Sequence, residues 1–126
     1  MGDTQFSTFR ISEVPLGPWP VTSERFVGDP PTMTGRVMWR SADGRHASGV
    51  WTCTPGTIRG EFLTDEVSVI VAGRMTITAD GSTVEVSAGD VITMRKGLSV
   101  EWVVHDTVTK LWNISDAQGL PIPAEE

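Results

Sequence analysis

A chain of 126 residues, 39% of them apolar, is long enough for one hydrophobic core and is not disordered by composition. The formal net charge of −6, with no basic cluster larger than Arg95 and Lys96, argues against nucleic acid as a partner. No apolar run approaches the about 18 residues that a membrane span needs, so no membrane partner is expected. The single cysteine, Cys53, predicts a reducing, cytoplasmic environment.

Residues 1–27 are predicted to form an extended N-terminal arm. Prolines at positions 15, 18, 20, 30 and 31 forbid a long helix in and just after this stretch. Apolar side chains such as Phe6, Phe9 and Trp19 are too numerous for a free linker. We therefore expect the arm to pack across the following domain or across a second subunit, in a homodimer.

Turn signals recur from Gly35 onward with the spacing of an all-β sandwich or barrel. Asp80-Gly81 favours a tight hairpin, and Gly73 is predicted to lie at a hairpin turn as well. Residues 116–126 are predicted to form an irregular tail, and no segment has a helical period. The predicted strands cover residues 36–40, 49–53, 58–62, 66–71, 74–78, 83–86, 91–94, 100–104 and 108–114.

Two glycine-bounded segments in this set resemble the signature motifs of the cupin superfamily. Glu66, six further residues and Gly73 fit the second half of the first motif, and Gly89 and Gly97 have the spacing of the second. Residues 48–56 and 109–112 are similar to short single-domain cupins related to the ethanolamine-utilisation cupin and ureidoglycine aminohydrolase. The resemblance covers roughly residues 28–115. It implies a cupin-type double-stranded β-helix, a jelly-roll barrel that often holds a metal.

The histidines of the cupin motifs are replaced in this chain. The first-motif positions fall on Arg59 and Glu61 or, with the shorter spacing, on Gly60 and Phe62; Val100 takes the second-motif position. Arginine cannot ligate a metal, and carboxylates without histidine suit a hard cation better than iron, nickel or zinc. No metal or other cofactor is therefore predicted. A manganese or other divalent ion held by Glu61, Glu66 and recruited side chains stays open as an alternative.

Glu66 is the first candidate for catalysis, and Glu61 is the second. If the resemblance holds, Glu66 points into the barrel on the same face as Ser68. A carboxylate there must be paired, bind a metal or take part in proton transfer. Alternatively, Glu66 accepts hydrogen bonds from Arg59 or Lys110 and only stabilises the fold.

Five further residues are candidates for ligand binding, the first of them Ser68 on the inward face beside Glu66. An inward Arg59 would hold a substrate carboxylate, or else it pairs with Glu61 or Glu66 near the rim. Trp51 and Trp102 would line a pocket for a planar or short-chain ligand, or else form the core. The resemblance makes Lys110 a carboxylate clamp or a partner for Glu66, although a solvated edge lysine is also consistent with its position.

For the two histidines and the cysteine, the sequence predicts no catalytic or metal-binding role. His46 and His105 fall in predicted turns, away from the motif positions, and Cys53 is predicted to be a small buried apolar residue.

Three functions of the protein stay open. They are binding of a small organic metabolite without the histidine metal site, a divalent-metal-dependent enzyme acting on a small amine or carboxylate, and a structural or regulatory dimeric barrel without an open site.

Overall fold

The computed structural model describes residues 6–19 and 25–120 of the chain. In these ranges the 3-10 turn Ile11–Glu13 accompanies a nine-stranded antiparallel sheet, which confirms the predicted all-β class. No helix in the same ranges is long and apolar enough to cross a membrane. The cytoplasmic location stays a prediction. The strands are β1 (Gly17–Pro18), β2 (Phe26–Val27), β3 (Met33–Arg40), β4 (His46–Cys53), β5 (Gly56–Glu61), β6 (Asp65–Ala79), β7 (Ser82–Ser87), β8 (Val91–Met94) and β9 (Ser99–Ser115).

The 17-residue strand β9 organises the sheet. It pairs with β6 along most of its length, while its N-terminal half also pairs with β5 and its C-terminal half with β4. β7 and β8 extend the sheet from β6, and β3 extends it from β4. The sheet curls into a half-barrel, and side chains at alternate positions of these strands form the core inside it.

Gly73 does not form the hairpin turn that the sequence predicts. β6 runs without a break from Asp65 to Ala79, and its register against β9 shifts on both sides of Gly73, whose φ is +90°. Likewise, the predicted strands 100–104 and 108–114 belong to one strand, β9. A bulge at Gly73 explains why a turn was predicted there. A glycine bulge bends a strand without ending it, and its glycine cannot be told from a turn glycine in the sequence.

The predicted hairpin at Asp80-Gly81 is confirmed. Asp80 has a φ of +54° and Gly81 a φ of +74°, and the flanking residues Ala79 and Ser82 are paired. Positive φ at both central residues is the geometry of a type I′ turn, which matches the twist of the two strands. The Asp-Gly signal therefore identified this turn correctly.

The described part of the N-terminal arm joins the sheet. β1 pairs with β3, and β2 pairs with β5. Trp19 then packs against Trp112, with ring centroids 5.8 Å apart. Gly35 makes room for the Trp19 ring, because a Cβ at position 35 would lie 2.6 Å from a ring carbon.

The first described residues of the arm stay outside this packing, since the side chains of Phe6 and Phe9 are 76% and 56% exposed. The expected homodimer stays a prediction. Residues 1–5 and 20–24 of the predicted arm, and residues 121–126 of the predicted tail, lie outside the described residues.

Cys53 lies in the core with no exposed surface, and burial raises the pKa of its thiol to about 12. The folded protein should therefore resist the disulfide reagent DTNB at about pH 8, where a free thiol reacts readily. Full modification should need unfolding by urea. One thiol that reacts at the same rate with and without urea would contradict this burial.

Candidate functional site

A cavity of about 260 Å³ opens between the arm and strands β3, β4, β5, β6 and β9. Most of its wall is apolar, and its polar side chains come from three strands, one connecting loop and the arm. The aromatic residues of the wall are Trp19, Trp51, Phe62, Trp102 and Trp112, the aliphatic ones Met33, Ile58, Leu63 and Ile114, and the polar ones Arg25, Glu61, Thr64, Glu66 and Lys110.

A buried ion pair joins Glu66 and Lys110 in this cavity. Lys110 Nζ lies 2.8 Å from Glu66 Oε2, and the side chains are only 10% and 11% exposed, in the order Lys110 and Glu66. Lys110 lies in the middle of β9, opposite Trp51 of β4 and Ile70 of β6, so the alternative of a solvated edge lysine is wrong. β6 and β9 thus position the two charges against each other inside the barrel.

The ammonium group of Lys110 also contacts two aromatic rings. Its Nζ lies 4.7 Å from the centroid of the Trp51 ring and 5.9 Å from that of Trp102. Cations within about 6 Å of an aromatic face are attracted by the ring quadrupole. Trp102 packs in turn against Phe62, with centroids 5.3 Å apart. The aromatic wall and the charge pair therefore form one continuous site.

Two buried polar atoms of this wall have no hydrogen-bond partner among the described residues: Glu66 Oε2 and Trp112 Nε1. The contact between Lys110 and Glu66 is close enough for an ion pair, but its angles do not make a hydrogen bond. A buried polar atom without any partner costs about 1–3 kcal/mol. Glu66 Oε2 still faces the ammonium of Lys110, so this cost falls on Trp112 Nε1, which has no acceptor among the described residues.

The side chains of β5 alternate in a way that decides between the two motif spacings. Ile58 and Phe62 are buried, with 3% and 8% exposure, whereas Arg59 and Glu61 are exposed. Gly60 lies between the two buried residues on the inner face. The shorter spacing is therefore the one that fits, and it places Gly60 and Phe62 at the histidine positions.

Arg59 lies on the outer face of β5 and does not line the cavity. Its Nε donates to Glu101 Oε2 over 2.8 Å, so neither the expected inward arginine nor the expected pair with Glu61 or Glu66 is present. Outward alternation on β5 is the physical reason. Ser68 shares the inner face of β6 with Glu66, as expected, but it is 2% exposed in the core and does not line the cavity.

The residues at the cupin metal positions do not fit a metal ion. Gly60, Phe62 and Val100 offer no donor atom, and the one carboxylate that remains, Glu66, faces the ammonium of Lys110. Across residues 6–19 and 25–120, no three His, Cys, Asp or Glu side chains come together as a possible metal site. Glu61 lies at the cavity mouth with an exposed side chain.

Arg25 is a site residue that the sequence did not reveal. It lies just before β2, and its guanidinium covers Gly60: a Cβ at position 60 would lie 2.4 Å from Arg25 Nη1. Arg25 forms no ion pair with any other described residue. The one signal for it in sequence is a glycine at an inward position of β5, which leaves space for a side chain from elsewhere.

The two histidines lie away from this cavity, in strands instead of the predicted turns. His46 is exposed at the start of β4, and His105 is exposed in β9, where its Nε2 lies 2.7 Å from the hydroxyl oxygen of Thr76. Both strands are longer than predicted, because each continues through the residues that look like turn formers.

Comparison with known proteins agrees with this fold. The putative ethanolamine utilization protein Q of Salmonella typhimurium has 23% identity and a TM-score of 0.61, over 68% of this chain and 71% of that one. The EutQ protein of Clostridium difficile has 18% identity and a TM-score of 0.63, over 79% and 82%. A DUF861-family protein of unknown function from Pseudomonas syringae has 20% identity and a TM-score of 0.75, over 82% of this chain but 45% of its own.

No curated protein matches the sequence. The sequence profile of the EutQ-like cupin domain matches residues 40–112, which is more than half of the chain and includes the paired strands β4 to β9 up to Trp112. The resemblance expected from the glycine-bounded segments is thereby confirmed. The chain belongs to the family of EutQ-like cupin domains.

Proposed function

We propose that this protein binds a small organic molecule in the cavity of its barrel, without the histidine metal site of other cupins. The observation that carries the proposal is the Glu66–Lys110 ion pair in the wall of an open, aromatic cavity. A buried ion pair is rarely the most stable filling of a core, since apolar residues of similar size are often as good or better. A pair kept beside open space instead suits recognition of a polar group.

The cavity also limits the size and shape of the ligand. At about 260 Å³ it is smaller than the roughly 300 Å³ at the lower end of pockets for drug-sized ligands. Trp51, Trp102 and Trp112 offer flat apolar surfaces beside the charged groups. A flat molecule of one ring, or a short chain, with a polar group at one end matches this wall.

The other two functions have less support. The metal-dependent enzyme lacks donor atoms at the inward motif positions, and the closed structural barrel does not account for the open cavity. A catalytic role of Glu66 or Glu61 stays a prediction from the sequence, as does the homodimer.

The five tryptophans supply the test, because their indole N–H signals resolve in a two-dimensional NMR spectrum. We expect one-ring acids, amides or amines to shift the indole signals of Trp51, Trp102 and Trp112. Trp39 is 55% exposed on the outside and serves as the internal control. Trp102→Ala should weaken binding about tenfold, since an aromatic contact and its buried area are lost.

Trp39→Phe identifies the control signal and should leave binding unchanged. If no compound of the panel shifts the three cavity indoles, or if only the Trp39 signal responds, this cavity is not a binding site. Circular dichroism of each variant shows whether the fold is kept.

A further inference from the structure

We propose that Arg25 is an anion-binding residue of this cavity, and that the ligand is a monocarboxylate with a flat apolar body. This inference rests on the proposed function and names the ligand class. It transfers to Arg25 the role that the sequence suggested for Arg59.

The guanidinium of Arg25 lies on the inner face of β5. Gly60 occupies the inward position between the buried residues Ile58 and Phe62, and Arg25 Nη1 lies 2.4 Å from the point that a Cβ of residue 60 would occupy. Arg25 therefore fills the space of the missing side chain and lines the cavity. A strand position that belongs to a histidine in the cupin motif is thus covered by a cation from the N-terminal arm.

The described wall of the cavity has two cations and two carboxylates, and of the two cations Arg25 is the one without a paired carboxylate. Glu66 and Lys110 neutralise each other at 2.8 Å. Glu61 lines the mouth, but its side chain is exposed and forms no ion pair with Arg25. A guanidinium next to an apolar cavity is stabilised when a carboxylate forms a two-pronged pair with it. The described part of the wall is neutral in sum, but Arg25 is a guanidinium without a paired carboxylate, and a ligand can supply one.

One unpaired guanidinium selects among the possible ligands. A monocarboxylate brings one negative charge, whereas a phosphate monoester brings close to two at neutral pH and leaves one of them uncompensated. An amine would meet Arg25 with a like charge, and the buried carboxylate of Glu66 is already paired. The aromatic residues Trp51 and Trp102 then contact the apolar body of the acid.

The experiment measures binding of three probes of the same shape by isothermal titration calorimetry: phenylacetate, phenylacetamide and phenethylamine. We expect the wild-type chain to bind phenylacetate at least about tenfold more tightly than the other two, the scale of one charge-assisted hydrogen bond. Arg25→Gln should weaken phenylacetate binding about tenfold and leave phenylacetamide binding unchanged.

Two further variants show whether binding depends on the position of the Arg25 guanidinium or only on the net charge of the protein. Gly60→Ala keeps every charge but moves the guanidinium, and the displaced group is the end of a flexible side chain, so the fold should persist. It should weaken phenylacetate binding as Arg25→Gln does. Arg59→Gln removes the same charge from the outer face of the same strand and should have no effect.

Each result decides something different. If Arg25→Gln binds phenylacetate as the wild type does, or if Arg59→Gln causes the loss, the assignment to Arg25 is overturned. If phenylacetamide binds as tightly as phenylacetate and also shifts the cavity indoles, the ligand class is wrong but the binding function stands. If no probe binds, the ligand class is overturned, and the wider indole screen decides on the binding function.

Discussion

Gly73→Ala is expected to lower the free energy of unfolding by about 4 kcal/mol, because backbone strain and overpacking add at this position. The φ of +90° is a conformation that residues with a Cβ rarely adopt. A Cβ would also lie 2.1 Å from the carbonyl oxygen of Thr107 and 2.7 Å from the Cα of Val108. Both contacts are with the backbone of β9, so no side-chain rotation relieves them.

Gly81→Ala is the matched control for this prediction. Gly81 also has a positive φ, +74°, but its missing Cβ would meet no atom within 4 Å. Its replacement should cost about 1 kcal/mol, the penalty of the left-handed conformation alone. Urea unfolding of the two variants measures both values. Equal losses would show that Gly73 does not lie against β9 as described here.

Gly73 also shows how far the fold could be predicted from the sequence. Alternation and turn residues located β3 to β9, with β6 and β9 each divided into two strands, and Asp80-Gly81 identified its hairpin. The short strands β1 and β2 were not predicted. The bulge was missed because a glycine with positive φ looks the same in a turn and in a bent strand. Only the close approach of Gly73 to Thr107 and Val108 of β9, more than thirty residues away, distinguishes the two.

The candidate site was predictable only where its residues lie in the cupin motifs. Glu66 follows from the first motif and Lys110 from the resemblance of the last strand, and the structure brings these two together. Arg59 and Glu61 were open to error because one residue of spacing turns a side chain to the other face of a strand. Arg25 could not be predicted as a site residue, because it belongs to the N-terminal arm, and the contacts of the arm with β5 join residues that are far apart in the sequence.

Lys110→Met is expected to lower the free energy of unfolding by about 3 kcal/mol, because it leaves the carboxylate of Glu66 buried without a counter-charge. Glu66 Oε2 has no hydrogen-bond donor among the described residues to replace the ammonium. Glu66→Gln should cost less, about 2 kcal/mol, since the stranded ammonium keeps its contacts with the Trp51 and Trp102 rings. Urea unfolding at neutral pH measures both losses.

The double variant Glu66→Leu with Lys110→Met separates the ion pair from the packing around it. Replacing both charges by apolar side chains removes the desolvation cost together with the attraction, so its stability should return to within about 1 kcal/mol of the wild type. A loss as large as the sum of the losses in Glu66→Leu alone and Lys110→Met alone would mean that the two charges act independently, contrary to their separation of 2.8 Å. If the double variant recovers the stability of the wild type, the ion pair is not required for folding. A pair that the fold does not require, and that lies beside an open cavity, is better explained by ligand binding. Because Arg25 is untouched, the double variant should keep its preference for phenylacetate over phenylacetamide even where both bind more weakly than to the wild type, and equal binding of the two would assign the carboxylate to Lys110 instead.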